Sequence, residues 1–395
     1  SMLLTAIIPT YAQSLGTGMG FAEETTLAHW GFVQSFATLF VALLAPVLGA
    51  MADHRGKKKM FFSFFLVMSV ASLICMALFE SYYALLILNV FAGIGYAASN
   101  IVYDAFLVDV TDDKRMDYVS SFGFAIGYIG SCVPFILSIA LIMIKPFGLS
   151  GTAPVKVSFA LNAVWWTLFS LPFMRNVRQK YCCDPVKNIV RDAFKKVGSS
   201  FKVIFKTKHL GLFLLSYFFY IDGVDTIIKM VVPYASSILG DDALDMMTLL
   251  GILLVIQIIA FPCAILYGIL AKKYSTRSMI LAAIITYIVS CVAAFFISSV
   301  WHIFILGAMI GSAQGGIQAL SRSYYARLIP KQNSNEFFGF YNVFGKFAAI
   351  IGPGVMALTS TLTGNPRLSI LAIIPLFAAG LLVFLTLPRE AAEPK

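Results

Sequence analysis

Three ionisable side chains interrupt an apolar stretch near the middle of the chain. Asp222, Asp225 and Lys229 lie within the run from Leu210 to Pro233. On a helix, residues three, four and seven positions apart share one face. Carboxylates and an ammonium group are costly in an apolar environment unless they face protein or water. The face therefore either lines a pathway for a proton or a polar solute, or holds a static ion pair between Asp225 and Lys229.

Other apolar stretches also carry polar side chains at close to helical spacing. They are Asn100, Tyr103, Asp104, Gln314, Gln318, Arg322, Asn342 and Lys346. Arg322 is the strongest candidate for binding an anionic group, because guanidinium grips carboxylate or phosphate through two hydrogen bonds. Its alternative role is an ion pair with Asp104 or Asp222. A lone Asn or Gln in such a helix can also simply join two helices.

These side chains must be positioned by helices that cross a membrane. The 395-residue chain is 59% hydrophobic and 12% charged, whereas soluble domains average about 25% charged residues. A net charge of +10 would favour nucleic-acid binding in a soluble protein. Here the bases gather in loops, and no nucleic-acid partner is expected. We predict an all-α membrane protein.

The sequence gives little support for enzymatic chemistry. The four His and six Cys residues lack the spacing of metal ligands. The glycine-rich stretches follow no predicted strand and open no phosphate-binding loop. We therefore expect no metal, no cofactor and no enzymatic activity.

Apolar runs of near-spanning length predict about twelve helices. The first run, from Met2 to about Ala12, is too short to span a membrane, so the numbering is expected to begin partway through helix 1. The polar segment 175–208 separates a six-helix bundle in residues 1–174 from a second one in residues 209–395. Within it, basic residues 186–196 predict an amphipathic helix on the membrane surface.

Lys and Arg residues concentrate in alternate loops. These loops are residues 55–59, 114–115, 175–208, 272–277 and 327–331. Because basic loops stay in the cytoplasm, both termini are predicted to be cytoplasmic.

An internal repeat relates the two halves of the sequence. Residues 49–60 align with residues 268–279. Nearly the same offset places acidic residues against basic ones, Asp104 against Arg322 and Asp109 against Arg327. Two six-helix halves joined by a linker are the parallel-repeat architecture of secondary transporters. The inverted charges are candidates to pair between the halves.

The loop after the second predicted helix carries Gly49, Asp53, Arg55, Gly56 and Lys57. Gly49 permits close helix packing, Gly56 permits a tight turn, and the Asp53 carboxylate suits a helix N-terminus. Arg55 and Lys57 can pair with an acid, for which Asp109 is the candidate. The pattern resembles the signature loop of the major facilitator superfamily. That resemblance implies the major facilitator fold and a gate latch that holds one conformation.

The superfamily lines its central cavity with helices 1, 4, 7 and 10, and the polar residues above fall largely on helices 4, 7 and 10. Three stretches, residues 220–227, 315–324 and 336–346, are similar to a narrower group. They resemble the "unknown major facilitator" family of bacteria, which is related to the autophagy-linked vacuolar amino-acid effluxers of fungi. This resemblance implies a proton-linked transporter of a small solute and, in the fungal branch, export of amino acids.

We predict a monomeric secondary active transporter in a bacterial inner membrane, surrounded by lipids. It moves a small polar or anionic solute, such as an amino acid, by alternating access coupled to protons. Asp222, Asp225 and Asp104 are the candidate proton carriers. Proton uptake would free Lys229 or Arg322 to bind the solute. The alternative is a lipid-handling or non-transporting scaffold protein in which the same ion pairs are static.

Overall fold

The computed structural model describes residues 7–184, 186–239 and 246–388. Of these described residues, 87% are helical and none lies in a β-strand. The all-α prediction is therefore confirmed. The α-helices are α1 Ile8–Gly18, α2 Glu23–Ala52, α3 Lys57–Leu78, α4 Tyr82–Ala105, α5 Leu107–Val110, α6 Met116–Ile144, α7 Ala153–Asn176, α8 Ile189–Lys206, α9 Lys208–Leu239, α10 Met246–Tyr274, α11 Thr276–Phe295, α12 Val300–Leu328, α13 Ser334–Thr363, α14 Pro366–Leu371 and α15 Ile374–Leu385.

Eleven of the described helical segments are long and apolar enough to cross a membrane. They agree with the eleven complete spans expected from the sequence, and α1 has 11 residues. The last span differs from the expected continuous helix, because it is divided into α14 and α15. Pro375 explains the break, since proline lacks an N–H and its ring clashes with the carbonyl four residues earlier.

Contacts divide the chain into two compact units. Unit 1 comprises Ser1–Val110, Gly130–Phe194 and Gln332–Gly339. Its core packs Phe62 and Leu66 of α3 against Val102 of α4, with Phe173 of α7 alongside. The start of α13 belongs to this unit.

Unit 2 comprises Thr111–Ile129, Lys195–Lys331 and Phe340–Lys395. Aromatic rings pack its helices together. Phe213 of α9 stacks on Tyr324 of α12 with 5.0 Å between the ring centroids, and the centroid of Tyr324 lies 5.8 Å from that of Phe384 in α15. The start of α6 belongs to this unit. The division of the sequence into residues 1–174, 175–208 and 209–395 stays a prediction.

The linker helix α8 runs from Ile189 to Lys206 and so extends beyond the predicted stretch 186–196. Ala193 and Ile204 are buried, while Phe201 and Phe205 are exposed. This distribution is that of an amphipathic helix whose apolar side is covered only in part.

Candidate functional site

Asp222 joins the middle of α9 to the middle of α13 within unit 2. Its side chain is fully buried. One carboxylate oxygen, Oδ1, accepts hydrogen bonds from the backbone N–H of Gly352, at 2.9 Å, and from the Thr226 hydroxyl, at 3.4 Å. The other, Oδ2, is buried without a hydrogen-bond partner among the described residues. A buried unpaired acceptor is unfavourable, so this oxygen is available for a proton or a ligand.

Three further ionisable groups lie on the same two helices. The Asp225 carboxylate interacts electrostatically with the ammonium groups of Lys229, one turn later on α9, and Lys346 on α13. Lys229 is exposed, and Asp225 and Lys346 are half-buried. Asn342, one turn before Lys346, has a buried Oδ1 atom without a described hydrogen bond. With Asp222, this α9–α13 group contains two acids, two bases and two unpaired polar oxygens.

Arg322 of α12 contacts the start of α6 in unit 2. Its guanidinium donates to the Ser120 hydroxyl at 3.0 Å and to the Ser120 carbonyl at 3.1 Å. It also lies over the Phe124 ring, 4.6 Å from the centroid, which is a favourable cation–π geometry. These three contacts are made to neutral groups.

Gln314 and Gln318 lie near Arg322 on α12. The Tyr128 hydroxyl of α6 donates to Gln318 Oε1 at 2.8 Å and also interacts with the Gln314 side chain. The structure therefore brings both predicted glutamines and Arg322 onto one surface of α12 that faces α6.

The remaining residues predicted to bind the solute or carry a proton lie on α4 in unit 1. The Asn100 side chain hydrogen-bonds the Tyr96 hydroxyl, and Asp104 interacts electrostatically with that hydroxyl. Tyr103 is 40% exposed, and its ring lies 5.5 Å from that of Phe173. Asn100 and Asp104 thus share an interaction with the Tyr96 hydroxyl, whereas Tyr103 packs against Phe173.

Asp53, at the end of α2, caps the N-terminus of α13 within unit 1. Its Oδ1 accepts from the backbone N–H and the side-chain amide of Asn335, at 2.9 and 2.8 Å, and its Oδ2 accepts from the Glu336 N–H at 2.9 Å. Burial raises the pKa of this carboxyl to about 7, although Lys58 and the amide donors act to lower it. A Cβ on Gly49 would overlap the Asn335 carbonyl. The contact thus requires glycine at position 49 and an acceptor at position 53.

The acid of the predicted latch pairs with a different base from those expected. Asp109 Oδ2 lies 2.6 Å from Lys58 Nζ, and neither side chain is exposed. The Lys58 ammonium also donates to the Ser334 hydroxyl at 2.9 Å. Arg55 is exposed and Lys57 half-buried. The left-handed conformation of Gly56, with φ +74°, starts α3 so that Lys58 points inward.

A second ionic cluster, which the sequence analysis missed, lies in unit 2. Asp117, at the start of α6, pairs with Arg327 at the end of α12. The same carboxylate accepts from the hydroxyls of Thr276, at 2.7 Å, and Ser323. A Cβ on Gly268 would overlap Ser121. The internal repeat could have predicted this cluster. The offset that matches Asp109 with Arg327 also matches Asp117 with Asn335, the residue that binds Asp53. In the second cluster the acid therefore stands at the position that the hydrogen-bond donor occupies in the first.

Comparisons with known proteins agree on the type of molecule. The family model described as "Vacuole effluxer Atg22 like" matches residues 18–116 and 108–395. An uncharacterized MFS-type transporter of Bacillus subtilis strain 168, YxiO, is 41% identical over 99% of this chain and 92% of its own length. Autophagy-related protein 22 of Cryptococcus neoformans is 28% identical over 70% of this chain, and the match spans 54% of the fungal protein.

A solved structure shows the same fold. The major facilitator transporter FucP, in its outward conformation, superposes with a TM-score of 0.71 at 12% identity, covering 98% of each chain. The predicted fold class is therefore confirmed, and the chain is an integral, multi-pass membrane protein.

Proposed function

Because the chain belongs to the Atg22-like vacuole effluxer family and has the major facilitator fold, we propose that it is a secondary active transporter of a small polar or anionic solute, such as an amino acid. Transport would proceed by alternating access and be driven by protons. The observation that carries this proposal is the α9–α13 group, in which two acids and two bases adjoin two buried, unpaired oxygens. Ionisable groups in membrane-spanning helices are rare, and substrate pathways and proton relays are among the sites that they mark.

The composition of this group fits a zwitterion or an anion. When Asp222, Asp225, Lys229 and Lys346 are all ionised, their charges cancel. Uptake of one proton by Asp222 leaves a net charge of +1, which favours a carboxylate-bearing solute. Proton binding and solute binding would then stabilise each other, which is the reciprocal coupling that a symporter or an exchanger requires.

The two ionic clusters would serve as gate latches in this scheme. Asp53 binds the start of α13, and Asp117 binds the end of α12. Each joins residues from the first half of the sequence to residues from the second half. Alternating access would require these contacts to break and re-form in every cycle. By the distribution of basic residues, we place the loops that carry the two clusters, and both termini, in the cytoplasm of a bacterium.

A ligand screen tests the proposed solute class. The purified protein would be heated with amino acids, short peptides and organic acids, and its unfolding temperature measured. A true ligand at a hundredfold excess over its Kd stabilises the folded state by about 2.7 kcal/mol. Proteoliposomes would then be assayed for flux of each stabilising compound. Absence of both stabilisation and flux, together with movement of labelled lipid between leaflets, would favour the lipid-handling alternative.

Asp222→Asn tests the proposed proton carrier. Asparagine keeps an oxygen for the Gly352 N–H but cannot exchange a proton, so we expect pH-driven uptake to be lost while solute exchange at equal pH continues. Glu24→Gln, at an exposed acid of α2, is the matched control and should behave as wild type. Uptake by Asp222→Asn with unchanged pH dependence would rule out this role.

A further inference from the structure

The segment between α7 and α8 is attached to the turn that holds Asp53. We call residues 178–184 the linker strap. The backbone N–H of Cys183 donates to the Asp53 carbonyl at 2.9 Å, and the Arg55 N–H donates to the Cys183 carbonyl at 3.3 Å. These two bonds form a parallel β-bridge between His54 and Cys183. The linker thus pairs with the turn as a short strand would.

Gln179 completes this attachment with its side chain. Its Oε1 accepts from the Gly56 N–H at 3.0 Å. Its Nε2 lies 3.3 Å from the carbonyl oxygens of both Asp53 and His54. One side chain therefore binds the first, second and fourth residues of the turn 53–56, and these contacts fix its backbone conformation.

The strap also contacts the two other parts of this latch. Asp109 Oδ1 accepts from the backbone N–H groups of Lys180 and Tyr181, at 2.8 and 2.9 Å, while its Oδ2 binds Lys58. The Cys183 thiol lies 3.5 Å from the Gln332 carbonyl and 3.6 Å from the Asn333 side-chain amide. Hence the strap touches the turn 53–56, the Asp109 carboxylate in α5 and the residues just before α13.

His54 adds a connection to the linker helix. Its Nδ1 lies 2.9 Å from the Asp184 carbonyl oxygen, and its Nε2 lies 3.5 Å from a carboxylate oxygen of Asp192. The imidazole is buried. The strap is therefore fixed at both ends, by Gln179 at its beginning and by His54 at its end.

We propose that the linker strap is an integral part of the Asp53 latch and that Gln179 is its positioning residue. Gln179 holds the turn 53–56 in the conformation in which Asp53 binds the start of α13. Opening of the latch then requires the Cys183 thiol to leave Gln332 and Asn333. The role of the latch in gating rests on the proposed function, but the attachment of the strap does not.

Cys183 offers a direct test, because its thiol contacts residues on the other side of the latch. Of the six cysteines, Cys75, Cys132, Cys263 and Cys291 lie on membrane-spanning helices, so a Cys182→Ser background leaves one thiol in the linker. The rate of maleimide labelling of Cys183 would be measured for the full chain in lipid vesicles. We expect Gln179→Ala to raise this rate about tenfold, since net loss of one or two hydrogen bonds changes an equilibrium by that order.

Two further variants make the result specific. Arg178→Ala removes an exposed, charged neighbour and should label at the wild-type rate. Gln179→Glu keeps the acceptor for Gly56 and loses the donor, so an intermediate rate is expected. Unfolding temperatures of all variants should remain within a few degrees, which separates detachment of the strap from general destabilisation. If Gln179→Ala does not fold, Gln179→Glu and Arg178→Ala provide the comparison.

Equal labelling of the Gln179 and Arg178 variants would overturn the proposal. Solute flux is measured in the same vesicles. Faster maleimide labelling of Cys183 in Gln179→Ala, combined with no solute flux in wild type or any variant, would support the strap and contradict the proposed function. Normal protection of Cys183 in Gln179→Ala together with wild-type flux would contradict the strap alone.

Discussion

Lys58 and Asp109 form an ion pair without exposed surface, and each member has a further partner in unit 1. Removing one member of such a pair leaves an uncompensated buried charge, which costs roughly 3–5 kcal/mol. We expect Lys58→Ala to lower the unfolding temperature sharply. Replacing both residues together, as Lys58→Met with Asp109→Asn, should recover much of the loss, because asparagine keeps an oxygen for the Lys180 and Tyr181 N–H groups.

The control for this prediction is the exposed pair of Lys156 and Glu80, whose atoms are 2.7 Å apart. Exposed pairs contribute little to stability, so Lys156→Ala should leave the unfolding temperature nearly unchanged. Similar losses for Lys58→Ala and Lys156→Ala would show that the buried pair is not the stabilising contact.

Asp53 makes a pH-dependent contribution to the stability of the folded protein, and the Asp53→Asn variant measures it. Its pKa of about 7 in the folded protein lies above the ordinary value of about 3.9. The stability that it contributes is therefore fully present below pH 4 and is lost as the pH rises through about 7. We expect the unfolding temperature of wild type to fall relative to that of Asp53→Asn between about pH 4 and pH 7, with little further change above that range. Parallel pH profiles for the two proteins would contradict this assignment.

At the scale of elements, α2 and the start of α13 approach each other closely at Gly49. Gly49→Ala would force the Asn335 backbone away, and overpacking of this kind costs about 1–3 kcal/mol. Gly31→Ala on the same helix is the control, because a Cβ there meets no atom within 4 Å. We expect a lower unfolding temperature for the first variant and an unchanged or raised one for the second. Equal values would mean that the two segments separate readily.

Helical periodicity was sufficient to predict which polar side chains share a helix face. It placed Asp222, Asp225 and Lys229 on one face of α9, because that placement depends on local geometry alone. The Gly352 N–H that binds Asp222 could not be predicted in this way, since its availability depends on how α9 packs against α13. The assignment of Lys58 to Asp109 likewise depends on where the Gly56 turn starts α3.

The repeat gave information about the whole molecule that local patterns did not. Its offset predicted two related halves, and the related contacts at Gly49 and Gly268 follow it. The second cluster was missed because Lys272 stands where Asp53 stands in the first half, so the loop pattern is absent. The acid lies on the opposite side of the contact, at Asp117, and a search for the same motif cannot find it.

Alternating access predicts that fixing the Asp53 contact arrests transport. In an Asp53→Cys, Asn335→Cys variant, a short bifunctional thiol reagent should stop solute flux, and a cleavable version should restore flux on reduction. Linking Glu80→Cys to Lys156→Cys joins two residues of the first half alone and should leave flux intact. Continued flux through vesicles in which the Asp53–Asn335 link is complete would refute a gating role for this contact.

Asp222 and Asp53 both bind backbone N–H groups, of Gly352 in one case and of Asn335 and Glu336 in the other. An amide N–H is present whatever side chain a residue carries, proline excepted. The backbone part of each contact therefore survives a change of the partner residue, whereas the hydrogen bonds from the Thr226 hydroxyl and the Asn335 side-chain amide do not. In contrast, Lys58 and Asp109 recognise each other by charge and must change together. Methods that infer contacts from correlated substitutions would accordingly detect the structural ion pair and overlook the backbone contacts of the two carboxylates proposed to act in proton transfer and gating.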